Sequence, residues 1–197
     1  MARATDFDLA KELAKPSFTP AQRDARGLVD LVIGGEDPSS ERAATALAGL
    51  GDAGRRAILV RLGGGDESHA EEDATELGDG ATARLVSALG LLARRGDGEA
   101  RATLIARTQD RSSRVRRAAI LALGKLGSED VDDARAAVLA RWDASDVPPD
   151  ERRALAEALG KLGGSDALER LRDLDPGDDA ELARRRDRAL LIADRTA

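Results

Sequence analysis

A stretch of twelve residues occurs twice in this chain with few changes: RRAAILALGKLG at 116–127 and RRALAEALGKLG at 152–163, 36 positions apart. Similarity at such a period marks a chain built by stacking one small unit on the next, because a pair of helices cannot bury its apolar face alone. TARLVSALGLLA (82–93) lies 34 positions before the first copy, and SERAATALAGLG (40–51) a further 42 before that. Small and apolar residues recur in them at helical spacing, as in Val115, Ala118, Ala119, Ala122 and Leu126, or Ala154, Leu155, Ala158 and Leu162. These are the buried faces of amphipathic helices.

A second helix is expected after each first one, over 53–62, 97–109, 130–142 and 165–174. Gly51, Gly127 and Gly163 fall where the first helices should stop and can supply a left-handed turn. Gly90, Gly124 and Gly160 come three residues before such a stop, where glycine costs a helix about 1 kcal/mol relative to alanine. A cost repeated at one register implies that neighbouring helices approach closely there. Thr19-Pro20-Ala21-Gln22 reads as a helix start with a capping box. Asp37-Pro38 and Pro148-Pro149-Asp150 punctuate two other starts.

Composition narrows the alternatives. Aromatic residues are 2% of the 197, namely Phe7, Phe18 and Trp142, and much of the apolar content is alanine, the strongest helix former. The absence of cysteine excludes disulfides, thiolate metal sites and a cysteine nucleophile. No apolar run resembles a signal peptide or a membrane span, so a cytoplasmic location is expected. The net charge of −6 is segregated: residues 63–83 hold Asp66, Glu67, Glu71, Glu72, Asp73, Glu76 and Asp79 without a Lys or Arg. Arginine dominates the basic residues, either for bidentate binding of anions or from a coding preference.

VRRAAILALGKLG (115–127) and ERRALAEALGKLG (151–163), with Asp110 six residues before Arg116 and Asp146 six before Arg152, resemble the short HEAT repeats of bacterial proteins. The resemblance implies an all-α, right-handed α-solenoid of antiparallel helix pairs, an armadillo-like helical superhelix. It further implies an inter-repeat ladder of Asp110, Arg116, Asp146 and Arg152, and a concave face lined by the second helices. The first unit is out of phase, with Glu36 and Asp37 before Arg42, and the second has Thr82 at the ladder position. The organisation expected is N-terminal capping helices over 1–35, about four repeats over 36–174 with an acidic insert at 63–80, and a C-terminal helix over 175–197. With Arg188 one period after Arg152, that last helix reads as a cap, a partial repeat of a longer chain, or an end covered by a second molecule.

The second helices carry a shorter motif, R-x-x-apolar-apolar-x-R, at Arg55 to Arg61, Arg101 to Arg107 and Arg135 to Arg141. Stacking would set Arg55, Arg101 and Arg135 in one column and Arg61, Arg107 and Arg141 in another, with Arg170 and Arg172 extending them. Two readings follow. The columns form a track for phosphates or carboxylates through charge-assisted hydrogen bonds, or the arginines pair with acids such as Glu99, Asp110 and Asp143. Trp142 is either a stacking platform beside Arg141 or a core residue.

No catalytic residue, metal site or cofactor is expected. His69 is a lone imidazole in an acidic loop without ligand spacing, and GKLG lacks the P-loop pattern. The single histidine cannot supply the His-Glu pairs of the iron-binding deoxyhypusine hydroxylases, and an aromatic-poor chain does not match the DNA glycosylases of the HEAT-like class. The reading is therefore a non-enzymatic scaffold that binds a protein partner on its concave second-helix face. The alternatives are an accessory nucleic-acid-recognition domain of a larger RNA- or DNA-modifying enzyme, which an acidic pI near 5.0 disfavours, and a subunit similar to the bilin lyases.

Overall fold

The structure, a computed structural model, describes residues 8–35, 38–63, 76–127 and 131–196. Phe7, Glu36, Asp37, His69 and most of the acidic insert lie outside the described residues. Among those described the fold is all-helical: α1 (Leu9–Leu13), a 3₁₀ turn (Gln22–Asp24), α2 (Ala25–Gly34), α3 (Ser39–Gly49), α4 (Asp52–Arg61), α5 (Asp79–Ala93), α6 (Gly98–Arg107), α7 (Ser113–Leu123), α8 (Asp132–Trp142), α9 (Pro149–Leu162), α10 (Ser165–Arg172) and α11 (Ala180–Thr196). Four helix pairs, α3–α4, α5–α6, α7–α8 and α9–α10, follow one another in a HEAT-type solenoid. The first helices α3, α5, α7, α9 and α11 pack in a continuous row, and α2 lies against α3, α4 and α5. The core runs through that row, with Leu47, Leu85, Leu89, Ile120, Leu123, Leu155 and Leu159 fully buried, and Ile58, Leu104, Val138 and Leu171 pointing into it from the second helices.

Three of the seams are set by glycine. A Cβ on Gly90 would lie 2.8 Å from Ala122 Cβ, and one on Gly124 would lie 2.8 Å from the Cα of Ala158. A Cβ on Gly160 would collide with Ala189. The cost to helix propensity inferred for these glycines is thus offset by helix backbones that approach within contact of an alanine on the next helix. The α3 counterpart of Gly90 is Ala48.

Several boundaries differ from the sequence reading. The helix expected at Pro20 begins at Ala25, because Asp24 rather than Gln22 completes the turn: its carboxylate accepts from the Ala21 N–H at 2.8 Å. The first helix begins at Leu9, capped by the Asp8 carboxylate, which accepts from the N–H groups of Ala10 and Lys11. Gly51 and Gly163 have the expected positive φ, 56° and 65°, whereas Gly127 does not. Helix α7 stops at Leu123 through two i to i+3 bonds, Lys125 N–H to Ala122 and Leu126 N–H to Leu123, so no left-handed residue is needed there.

Candidate functional site

Phase decides what the arginines of the second helices can reach. Gly54, Ile58 and Arg61 lie four and seven residues along one helix face, as do Ala100, Leu104 and Arg107, and Ala134, Val138 and Arg141. The residues at the first two positions are buried in every case. The second arginine of each motif therefore emerges beneath the core stripe, beside the neighbouring repeat, and not on the outward face.

Each described arginine of the two columns has partners inside the chain. Arg55 donates to Asp97 at 2.9 Å and Asp52 at 3.0 Å, and its Nε lies 2.9 Å from Glu99. The hydrogen bond that Arg55 donates to Asp97, foremost, holds the Arg55 pKa above its ordinary value. Arg107 donates to Asp110 at 2.9 Å and, one repeat back, to the Leu62 carbonyl at 3.1 Å. Arg135 donates to Asp132 at 2.8 Å and lies against the Gly164 backbone, where a Cβ would be 2.8 Å from its Nε. Arg141 is 4% exposed; it donates to Glu151 at 2.5 Å and to Asp146 at 2.6 Å. Arg61 and Arg101 also have interaction partners. Of the two flanking arginines, Arg170 is paired with Asp143 at 3.1 Å. Trp142 is 6% exposed, with the Arg152 guanidinium 4.8 Å above its ring centre, so it packs in the core and presents no face for stacking.

The ladder residues are close together but joined differently from the pairing that the family resemblance implied. Arg116 donates to the backbone carbonyls of Asp110 and Arg111, not to the Asp110 carboxylate, which accepts from Arg107 and from the Ser112 N–H. Arg152 donates to the Trp142 carbonyl at 2.9 Å, while the Asp146 carboxylate takes Arg141. That hydrogen bond from Arg141 holds the Asp146 carboxyl below its usual range. Arg152 thus satisfies the last carbonyl of α8, a group that a helix leaves without an internal partner, and Arg116 satisfies two carbonyls of the loop that follows α6.

The acid at the centre of this junction is Glu151, which no sequence motif singled out. Its side chain is fully buried, accepts two bonds at 3.0 Å and one at 2.7 Å from Arg116, and also accepts from Arg141. Aligning the two near-identical segments places Glu151 opposite Val115, an apolar position; a carboxylate there was the available signal. Further along the same seams, Arg117 pairs with Asp150, and Arg153 with Asp179 at 2.9 Å. Burial pushes the Asp150 carboxyl up, but the hydrogen bond and charge of Arg117 outweigh it and hold the group below its usual range.

On α6 and α8 the outward residues are small: Ala102, Ala106, Ala136 and Ala140 are exposed. The matching positions of α4 are Arg56, also exposed, and Val60, 45% exposed, and those of α10 are the exposed Glu169 and Asp173. Asp52, Glu99, Asp132 and Asp133 stand exposed at the N-terminal ends of these helices. Among the described residues no group of three or more His, Cys, Asp or Glu could hold a metal ion, and no helix is long and apolar enough to cross a membrane.

The model of the HEAT repeats family matches residues 79–149, and that of the PBS lyase HEAT-like repeat matches residues 151–174. A solved structure titled as a crystal structure of an engineered protein, a Northeast Structural Genomics Consortium target, shares 20% identity over 96% of this chain and 99% of that one, with a TM-score of 0.46. No curated protein sequence matches the chain. Repeat period, helix pairing and both family matches agree that residues 79–149 and 151–174 are HEAT-type repeats.

Proposed function

We propose that the chain is a non-catalytic scaffold that binds a protein partner across the outward strip of its second helices. The observation that carries this reading is the strip formed by Ala102, Ala106, Ala136 and Ala140, small exposed side chains in register on α6 and α8, continued on α4 by Val60 and bordered there by the exposed Arg56. Such a surface lets another backbone approach closely. The nucleic-acid alternative needs Arg61, Arg107 and Arg141 as phosphate contacts; with Arg107 and Arg141 held by Asp110, Asp146 and Glu151, it has less to stand on. HEAT repeats are a general interaction type, which fits the scaffold reading.

The test is a double substitution, Ala102→Arg with Ala136→Arg, in protein used to capture partners. Both sites are exposed, so the helix content should be unchanged by circular dichroism while a partner retained by the native protein is lost. Retention of the same partner by the folded variant would remove the strip from consideration. Binding of a duplex with a steep salt dependence would favour the nucleic-acid alternative instead.

A further inference from the structure

Along the row of first helices, one register carries the ion pairs that join repeats. Aligning the units places Glu41, Ala83, Arg117 and Arg153 in one column, and Gly80, Arg114 and Asp150 in the facing one. Between α7 and α9 the pair is Arg117 with Asp150, and between α9 and α11 it is Arg153 with Asp179. The two earlier seams lack half of each pair. Glu41 of α3 faces Gly80 of α5, and Arg114 of α7 faces Ala83 of α5, so each charge meets a residue that cannot answer it.

These four residues line one cavity of about 510 Å³, between α3 and α5. Its apolar floor comes from Ala44, Ala88 and Leu91, and a second guanidinium, that of Arg84, lines it while donating to the Val32 and Ile33 carbonyls. Among the described residues neither the Glu41 carboxylate nor the Arg114 guanidinium makes an ion pair or hydrogen bond, with each other or with any other group, although Arg114 would be 3.3 Å from a Cβ placed on Gly80. The volume falls in the range of small-molecule sites. We infer that this cavity binds a small zwitterion of dipeptide size. Its ammonium group occupies the place of the missing cation beside Glu41, its carboxylate that of the missing anion beside Arg114, and its apolar body lies on Ala44, Ala88 and Leu91. The site is on the first-helix row, away from the outward strip of the second helices, and stands or falls separately from the scaffold reading.

The probe is L-alanyl-L-leucine, with its N-acetylated and C-amidated forms as controls, titrated into the full chain by calorimetry and by amide chemical shifts. Saturable binding is expected, with shifts at Gly80, Ala83 and Leu91. Acetylation or amidation should weaken it about tenfold, the scale of one charge-assisted contact. Glu41→Gln should weaken the native dipeptide by a similar factor and leave the acetylated form unaffected; Arg114→Gln should do the same for the amidated form. Both residues are exposed, so both variants should keep the native circular dichroism spectrum. Absence of saturable binding, or equal affinity of the native dipeptide for the folded Glu41→Gln, Arg114→Gln protein, would overturn the inference.

Discussion

The two ends of the helix row are built from one repeat and hold together differently. From α7 to α11, each seam has a glycine against an alanine and a closed arginine–carboxylate pair, and a buried carboxylate, Glu151, ties Arg116 and Arg141 across the third and fourth units. From α3 to α5, Ala48 stands where the later units have glycine, Gly80 and Ala83 stand where they have charged residues, and a cavity remains. The contrast separates two parts of a HEAT seam: glycine sets the helix approach, at α5–α7 even where Ala83 leaves no ion pair to close, and a cavity of about 200 Å³ remains between α9 and α11 although the pair there is closed, against about 510 Å³ at α3–α5.

The comparison breaks first at Glu151. Glu151→Ala leaves two guanidinium groups without their shared carboxylate and should cost about 3–5 kcal/mol in urea unfolding, whereas replacing Arg116, Arg141 and Glu151 together by Met, Met and Leu should recover most of that loss. Next is glycine at the seam. Gly124→Ala should lower stability by about 1–3 kcal/mol despite alanine's better helix propensity, because its Cβ meets the Ala158 backbone. The opposite sign is expected at the front: Gly80→Ala meets only the movable end of Arg114 and should gain up to about 1 kcal/mol. Equal effects at the two glycines would erase the distinction between the seams.

The mildest difference is in acid. Asp146, Asp150 and Glu157 have folded-state pKa values held below their usual range, Asp146 by its hydrogen bond from Arg141, and the other two by cationic partners that outweigh burial. A depressed pKa stabilises the fold fully above the unfolded value of about 4 and ceases to do so as pH falls through the folded value. Amide protection factors, with exchange referred to the intrinsic rate at each pH, should therefore fall between pH 6 and pH 3 in α8 and α9 before α2 and α3. A uniform fall along the chain would contradict it.

Much of the architecture was legible because it rests on period and phase. The repeated segments, the second helices and the close approach at Gly90, Gly124 and Gly160 all follow from spacing alone. The arginine columns were legible as spacing but not as direction, because the motif by itself does not say where it stands relative to the apolar stripe. Counting seven residues from Ala134 to Arg141 supplies that phase and puts the guanidinium among neighbours. Glu151 was hidden by its resemblance to an ordinary surface acid at a helix start, where carboxylates favour the helix dipole. Gly127 was read as a left-handed stop, but a tightened last turn achieves the same end without one.

Guanidinium groups act as braces between repeats, and a double-mutant cycle on Arg116 and Glu151 measures that directly. Urea unfolding of Arg116→Met, Glu151→Gln and the double variant should give a coupling of about 2 kcal/mol, within the range for residues that share a buried network. A coupling below about 0.3 kcal/mol, with each single variant near native stability, would mean that these arginines do not hold the repeats together.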